Sequence, residues 1–164
     1  MANAAVRVFS TVKGHDHQCS SPEILRLEGR SYCDASEKGL GTSLLQNGQP
    51  VAFASRSLTL AEQNYAQVEE ECLAIVFSCE RFNQYLHGRE MITVNTDDKP
   101  LVPIFTKPIH TAPKRLQRML LRLQKYNLRV EYLPGSQMYI ADMLSRAHLK
   151  STGKSHLSEY QICK

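Results

Sequence analysis

The chain has 164 residues, 42% of them hydrophobic, and a formal net charge of +4. That is one domain's worth of chain with enough apolar content for a buried core, and the mild positive excess by itself says little about partners. No stretch is apolar for long enough to cross a bilayer and the N-terminus lacks a secretory apolar run, which excludes a helical membrane protein and a signal-bearing secreted one as expectations.

Five cysteines, Cys19, Cys33, Cys72, Cys79 and Cys163, form an odd set with no CxxC pair. A reduced setting in cytosol or nucleus follows as the expectation. Residues 1–29 are mixed in character. His15, Asp16, His17 and Cys19 stand close together there, but zinc sites pair ligands at two separate loci, so the cluster reads as a polar loop. Ser21-Pro22-Glu23-Ile24-Leu25 reads as a short capped turn.

From Arg30 to Arg56 the pattern is sheet-like, with strands expected at Tyr32 to Asp34, Gly41 to Gln46 and Val51 to Ser55. Asn47-Gly48 between apolar runs is a strong hairpin signal, and the Lys38-Gly39 turn joins the first two strands, giving a three-stranded antiparallel meander. Thr59-Leu60-Ala61-Glu62 matches a capping box and predicts that a long helix starts there. Tyr65, Val68, Cys72, Ile75, Val76, Cys79, Phe82 and Leu86 then recur at three- and four-residue steps as one apolar stripe, ended by Gly88. Glu90 to Asp97 is rich in β-branched residues and reads as a fourth strand. A short helix opens at Asp98-Lys99-Pro100, a second substantial helix covers Lys114 to Lys125, a fifth strand covers Leu128 to Leu133, and a last helix covers Tyr139 to Leu149. This order predicts a mixed α/β sheet: three antiparallel strands, plus two added by crossovers, with flanking helices.

Four acids sit where an acid needs a partner: Asp34 at the end of an apolar strand, Glu71 inside the long helix, Asp97 at another strand end, and Asp142 near the start of the last helix. Gathered by the fold, four carboxylates repel one another unless cations intervene. Hard oxygen ligands suit Mg²⁺ or Mn²⁺, and two such ions about 4 Å apart are able to activate water and stabilise the leaving oxygen of a phosphodiester. Asp98 is an equally acidic neighbour of Asp97. In the helix, 100° per residue sets Glu70 opposite the apolar stripe and leaves Glu69 and Glu71 flanking it, so periodicity does not choose between those two.

Positive charge is concentrated. Lys107, Lys114, Arg115, Arg118, Arg122, Lys125 and Arg129 follow one another with no acid between Lys99 and Glu131. Lys114, Arg118 and Arg122 share a helix face at four-residue spacing, the pattern of a track for a polyanion.

Several in-order segments carry a resemblance. They are Asp34-Ala35-Ser36 with Gly39-Leu40-Gly41, Pro50 to Thr59, Glu62 with Asn64-Tyr65-Ala66, Glu69 to Val76, Thr96 to Leu101, Tyr132-Leu133-Pro134-Gly135, and Ala141 to Arg146. With them, the chain from Asp34 to about Leu149 resembles the ribonuclease H domain of gypsy-type LTR retrotransposon polyproteins. The resemblance implies a ribonuclease H-like fold over residues 30–149, with residues 1–29 as a connector-like segment and residues 150–164 as a polar tail.

It also implies Mg²⁺- or Mn²⁺-dependent, two-ion endonucleolytic hydrolysis of the RNA strand of RNA/DNA hybrids. The family's metal-binding and catalytic acids map onto Asp34, Glu71, Asp97 and Asp142, which chooses Glu71 in the helix. Tyr132 is an accessory candidate, and Arg56, with Lys114, Arg115, Arg118 and Arg122, a nucleic-acid contact. The implied partners are the hybrid and a reverse transcriptase polymerase domain in a parent polyprotein, with no membrane. Two departures from relatives favour the alternative of a catalytically inactive nucleic-acid-binding module: Asp98 stands where histidine is common, and Leu27 to Cys33 reads as a shortened first strand.

Overall fold

The computed structural model of the protein describes residues 7–10 and 29–147. Strand β1 (Arg7–Ser10) precedes a meander of β2 (Gly29–Ser36), β3 (Gly39–Gln46) and β4 (Gln49–Ser57). Helices α1 (Gln67–Arg81) and α2 (Asn83–Leu86) lead to β5 (Ile92–Thr96). Helices α3 (Leu101–Thr106) and α4 (Lys114–Leu123) lead to β6 (Leu128–Tyr132), and α5 (Tyr139–Arg146) follows.

All five expected strands form. They are antiparallel through β4, β3 and β2 and parallel from β2 to β5 to β6. β1 adds a sixth strand antiparallel to β4, so the sheet order is β1-β4-β3-β2-β5-β6. Four residues are too few to display a period, and this strand exists because the β4 edge offers it a ladder. The His15 to Cys19 cluster, the Ser21 to Leu25 turn, Cys163 and the polar tail lie outside the described residues.

The expectation of a shortened first strand does not hold. β2 runs for eight residues and pairs with β3 without interruption, from Gly29 opposite Gln46 to Ser36 opposite Gly39. Its first half is polar in sequence, but backbone pairing needs no apolar side chain, so composition understated its length. The β3–β4 turn is as expected: Asn47 (φ 52) and Gly48 (φ 74) both lie in the left-handed region that a type I′ hairpin demands.

The long helix starts later than its capping signal. Thr59 and Glu62 do form the reciprocal box, the Glu62 carboxylate accepting from the Thr59 amide at 2.8 Å and the Thr59 hydroxyl from the Glu62 amide at 3.3 Å. It closes only a single 3₁₀ turn, Glu62–Asn64. Arg56 takes both Glu62 oxygens, at 2.8 and 2.9 Å, and holds that turn against β4. Tyr65 and Ala66 are then extended. α1 begins afresh at Gln67, with Glu69 reaching back to the Ala66 amide at 3.1 Å. It breaks at Phe82, before Gly88, which has φ +78 as a chain reversal requires.

The core lies between α1 and the sheet. Cys33, Leu40, Leu44, Ala52 and Ala54 face Cys72, Ile75, Val76 and Cys79, all at most 2% exposed. α4 covers another side of α1 with Leu116, Met119, Leu120 and Leu123. The three cysteines among these residues are free thiols, pushed up in pKa by burial.

One buried polar cluster sets the height of α1 on the sheet. The Ser78 hydroxyl is 2.7 Å from that of Ser31 on β2 and 2.8 Å from that of Thr42 on β3. Seven helical residues back from Ser78 is about 10 Å. Three strand residues on from Ser31 is also about 10 Å. With Ser78 matched to Ser31, Glu71 is brought level with Asp34.

Candidate active site

Asp34 lies in the buried run Cys33 to Ala35 of β2, Glu71 projects from the first turns of α1, and Asp97 follows the last residue of β5. Each offers a carboxylate oxygen, and these three oxygens lie within 4.8 Å of one another. Asp142, in the first turn of α5, lines the same open cleft of about 570 Å³, together with Lys38 of the β2–β3 turn and Arg146. It stands apart from the triad: Arg146 Nε donates to its Oδ1 at 2.7 Å, one helical turn away.

The electrostatics record the crowding. Glu71 is 1% exposed. Its pKa is pushed up to about 9, first by burial and then by the charges of Asp97 and Asp34, with the Ala35 amide acting in the opposite sense. Asp34 is pushed up to about 6 by burial, opposed by a hydrogen bond from Ser145, with Asp97 and Asp142 adding to the rise. Asp97 and Asp98 are both raised, burial again being the largest cause. Asp98 feels Asp97 and in turn raises Glu71, so it adds negative charge beside the triad.

The donor set fits a hard divalent cation. Glu71 Oε1 accepts from Gln67 Nε2 at 3.1 Å, whereas Oε2 is buried with no hydrogen-bond partner. A buried carboxylate oxygen left unpaired is costly unless a cation or proton meets it. Three oxygen ligands converging from separate elements satisfy the preference of Mg²⁺ or Mn²⁺ for carboxylate and water.

The other glutamates of α1 are placed differently. Glu69 pairs with Arg115 at 2.6 Å. Glu70 is 7% exposed, against the expectation that it faces away from the apolar stripe. α1 is enclosed on most of its circumference by the sheet, the β2–β3 turn and α4, so being opposite the stripe does not mean being in water. Burial, then the charge of Glu37 in that turn, raises Glu70.

Three of the seven cations in the basic run are engaged in ion pairs among the described residues. Arg115 stacks over Tyr65 with 4.2 Å to the ring centroid, besides its pairing with Glu69. Arg122 is bidentate to Glu80, with contacts of 2.6 and 2.8 Å from Nη2, and Arg129 pairs with Glu131 at 3.0 Å. The run has no acid in sequence, but α1 supplies two from across the helix interface. Among the described residues, Lys114 and Arg118 are exposed and held by no ion pair. Arg56 departs from the expectation of a phosphate contact: Glu62 holds it bidentately and it lies over the Phe77 ring, with only 15% of its side chain exposed. Tyr132 is 39% exposed at the end of β6, beneath Lys99 Nζ at 4.7 Å, and is not part of the acid cleft.

Sequence reasoning missed Gly41, Gly135 and Ser145. A Cβ at Gly41 would collide with the Ala141 carbonyl and the Ser145 amide, so α5 rests on bare β3 backbone. A Cβ at Gly135 would stand 3.1 Å from Asp97 Oδ2. Both glycines fall inside the segments that carry the resemblance, which was the one signal available.

A meander extended by two parallel crossover strands, with acids converging from β2, α1 and β5, is the ribonuclease H class of fold. Ribonuclease H1 from Halobacterium salinarum superposes with a TM-score of 0.57 over 71% of this chain and 93% of that one, at 17% identity. The foamy viral protease-reverse transcriptase in complex with RNA/DNA hybrid gives 0.54 over 82% of this chain and 18% of that one, at 18% identity.

Within that class, the chain belongs to the RNase H-like domains found in reverse transcriptase, whose family model matches residues 28–126. The Pol polyprotein of the Drosophila melanogaster transposon 297 is 35% identical over 130 residues, covering 77% of this chain and 12% of its own length. That of transposon opus is 39% identical over 117 residues, covering 69% and 12%. The Schizosaccharomyces pombe transposon Tf2-3 polyprotein is 35% identical over 119 residues, covering 69% and 9%. The chain thus spans about a tenth of the length of the curated relatives it matches. Among the described residues no helix is long and apolar enough to cross a membrane.

Proposed function

We propose that this domain is a divalent-metal-dependent endonuclease that hydrolyses the RNA strand of RNA/DNA hybrids. The observation that carries the reading is the convergence of Asp34, Glu71 and Asp97 around a buried, unpartnered Glu71 oxygen. Mg²⁺ or Mn²⁺, as a pair of ions, would be held by these three and by Asp142. The chemistry such ions supply when bound is Lewis acidity toward water and toward the oxygen that leaves phosphorus.

The chain's own residues contribute placement. Glu71 and Asp34 present carboxylates whose raised pKa values favour a neutralising partner. Lys38 and Arg146 put positive charge at the rim of an otherwise acidic cleft, where the phosphates flanking a scissile bond would lie. On the α4 face, Lys114 and Arg118 are exposed and, among the described residues, free of ion pairs, and so available to a nucleic-acid backbone. Tyr132 keeps a candidate accessory place beside the Asp97 end of β5, its strand partner being Thr96. The Pol polyprotein relatives support a setting joined to a reverse transcriptase polymerase domain, which makes the hybrid, and the buried free thiols support a reducing compartment, cytosol or nucleus.

The test is a labelled hybrid incubated with the purified chain, with Mg²⁺ and with chelator, beside Asp34→Asn. Cuts in the RNA strand are expected only with the wild type and metal. The variant should lose at least about 100-fold in rate, the equivalent of a few kcal/mol of lost charge stabilisation. Tight hybrid binding without any cleavage would overturn the nuclease reading in favour of a binding module.

A further inference from the structure

We infer that Ser145 is a positioning residue for the ion site: its hydroxyl fixes the Asp34 carboxylate and ties it to the helix that delivers Asp142. This deepens the metal-dependent reading above and rests on it. Ser145 is 0% exposed. Its hydroxyl donates to Asp34 Oδ2 at 2.6 Å from one turn beyond Asp142 on α5, and the Asp142 backbone carbonyl lies 2.9 Å from the same hydroxyl.

No other side chain among the described residues is seen to donate to Asp34, whose orientation therefore hangs on this one bond. The seat of α5 is independently clamped. Gly41 admits the α5 backbone, and the Ser36 hydroxyl donates to the Ser145 carbonyl at 2.8 Å. Position and hydroxyl are thus separable. Backbone contacts hold the helix down, and the Ser145 side chain orients the ligand. An outer group that hydrogen-bonds a ligating carboxylate sets its direction, and losing such a group typically weakens metal binding by about 10- to 100-fold.

The experiment is calorimetric titration of the nucleic-acid-free chain with Mn²⁺ and with Mg²⁺, beside thermal melts of each variant. Ser145→Ala should weaken ion binding by about 10- to 100-fold, while Ser36→Ala, which loosens the same helix without touching Asp34, should stay within about twofold of wild type. Ser145→Cys keeps the packing but replaces a strong donor with a weak one, and should fall between. It carries the test if Ser145→Ala does not fold. Wild-type affinity in both Ser145 variants, or an equal loss in Ser36→Ala, overturns the inference while the metal reading stands. A wild-type chain that binds neither ion overturns both.

Discussion

An ionised Glu71 has Asp97, Asp34 and Asp98 acting on it and, apart from the Gln67 amide and the Ala35 N–H, little to receive its charge. In strong acid the group is protonated in folded and unfolded chains alike and its burial is harmless to stability. As pH rises from the ordinary value of 4.5 toward about 9, the unfolded chain releases the proton and the folded chain keeps it. Stability of the metal-free protein therefore falls across that window, at up to about 1.4 kcal/mol per pH unit. Glu71→Gln mimics the protonated form, so at pH 8 it should melt higher than the metal-free wild type while losing divalent-ion binding. Paired melts with and without Mg²⁺ check both halves, and a lower melting point for the variant would contradict the burial argument. At this scale the sequence left Glu69 and Glu71 equivalent, because both flank the apolar stripe. What separates them is the company they keep: Arg115 for one, Asp34 and Asp97 for the other.

Among the elements, α5 and α4 illustrate opposite relations between pattern and contact. α5 lies on β3 only because Gly41 has no side chain. Gly41→Ala should destabilise the fold by about 3 kcal/mol, since neither opposing group is a flexible tip able to give way. Denaturant melts measure it, and the displaced helix should cost Asp142 its place in the cleft. α4 read as a uniformly basic face, but its arginines differ in their partners. Arg122 neutralises Glu80 across the α1 interface, whereas Arg118 has no such pairing. Arg118→Ala should therefore reduce the salt dependence of hybrid binding by about one unit of log–log slope, and Arg122→Ala should change it less. Equal effects, measured by titration at several salt concentrations, would show that the Glu80 pair does not shield Arg122. α1 starts late. The Thr59–Glu62 box is formed, but Arg56 also holds Glu62, and the chain turns extended at Tyr65 and Ala66 before the helix begins.

For the molecule as a whole, the acid cluster couples folding, pH and metal. Ion binding requires deprotonated carboxylates, so Mg²⁺ should raise the melting temperature strongly at pH 8 and little at pH 5, where Asp34 and Glu71 are largely protonated. Scanning calorimetry at the two pH values checks this, and an equal shift at both would remove the carboxylates as the binding site. Strand and helix order, the Asn47-Gly48 hairpin and the five-strand sheet were legible from residue patterns, because periodicity and turn chemistry are local properties that survive in any context. The sixth strand, the full length of β2, the enclosure of Glu70 and the pairing of Arg115 and Arg122 with acids of α1 were not. Each depends on a partner brought from far along the chain, and the convergence of Asp34, Glu71 and Asp97 depends on such partners most of all. A linear pattern tells which residues are able to bear charge or pack. Only the folded arrangement decides which charges meet, because Coulomb and desolvation energies depend on distance in space and not along the chain.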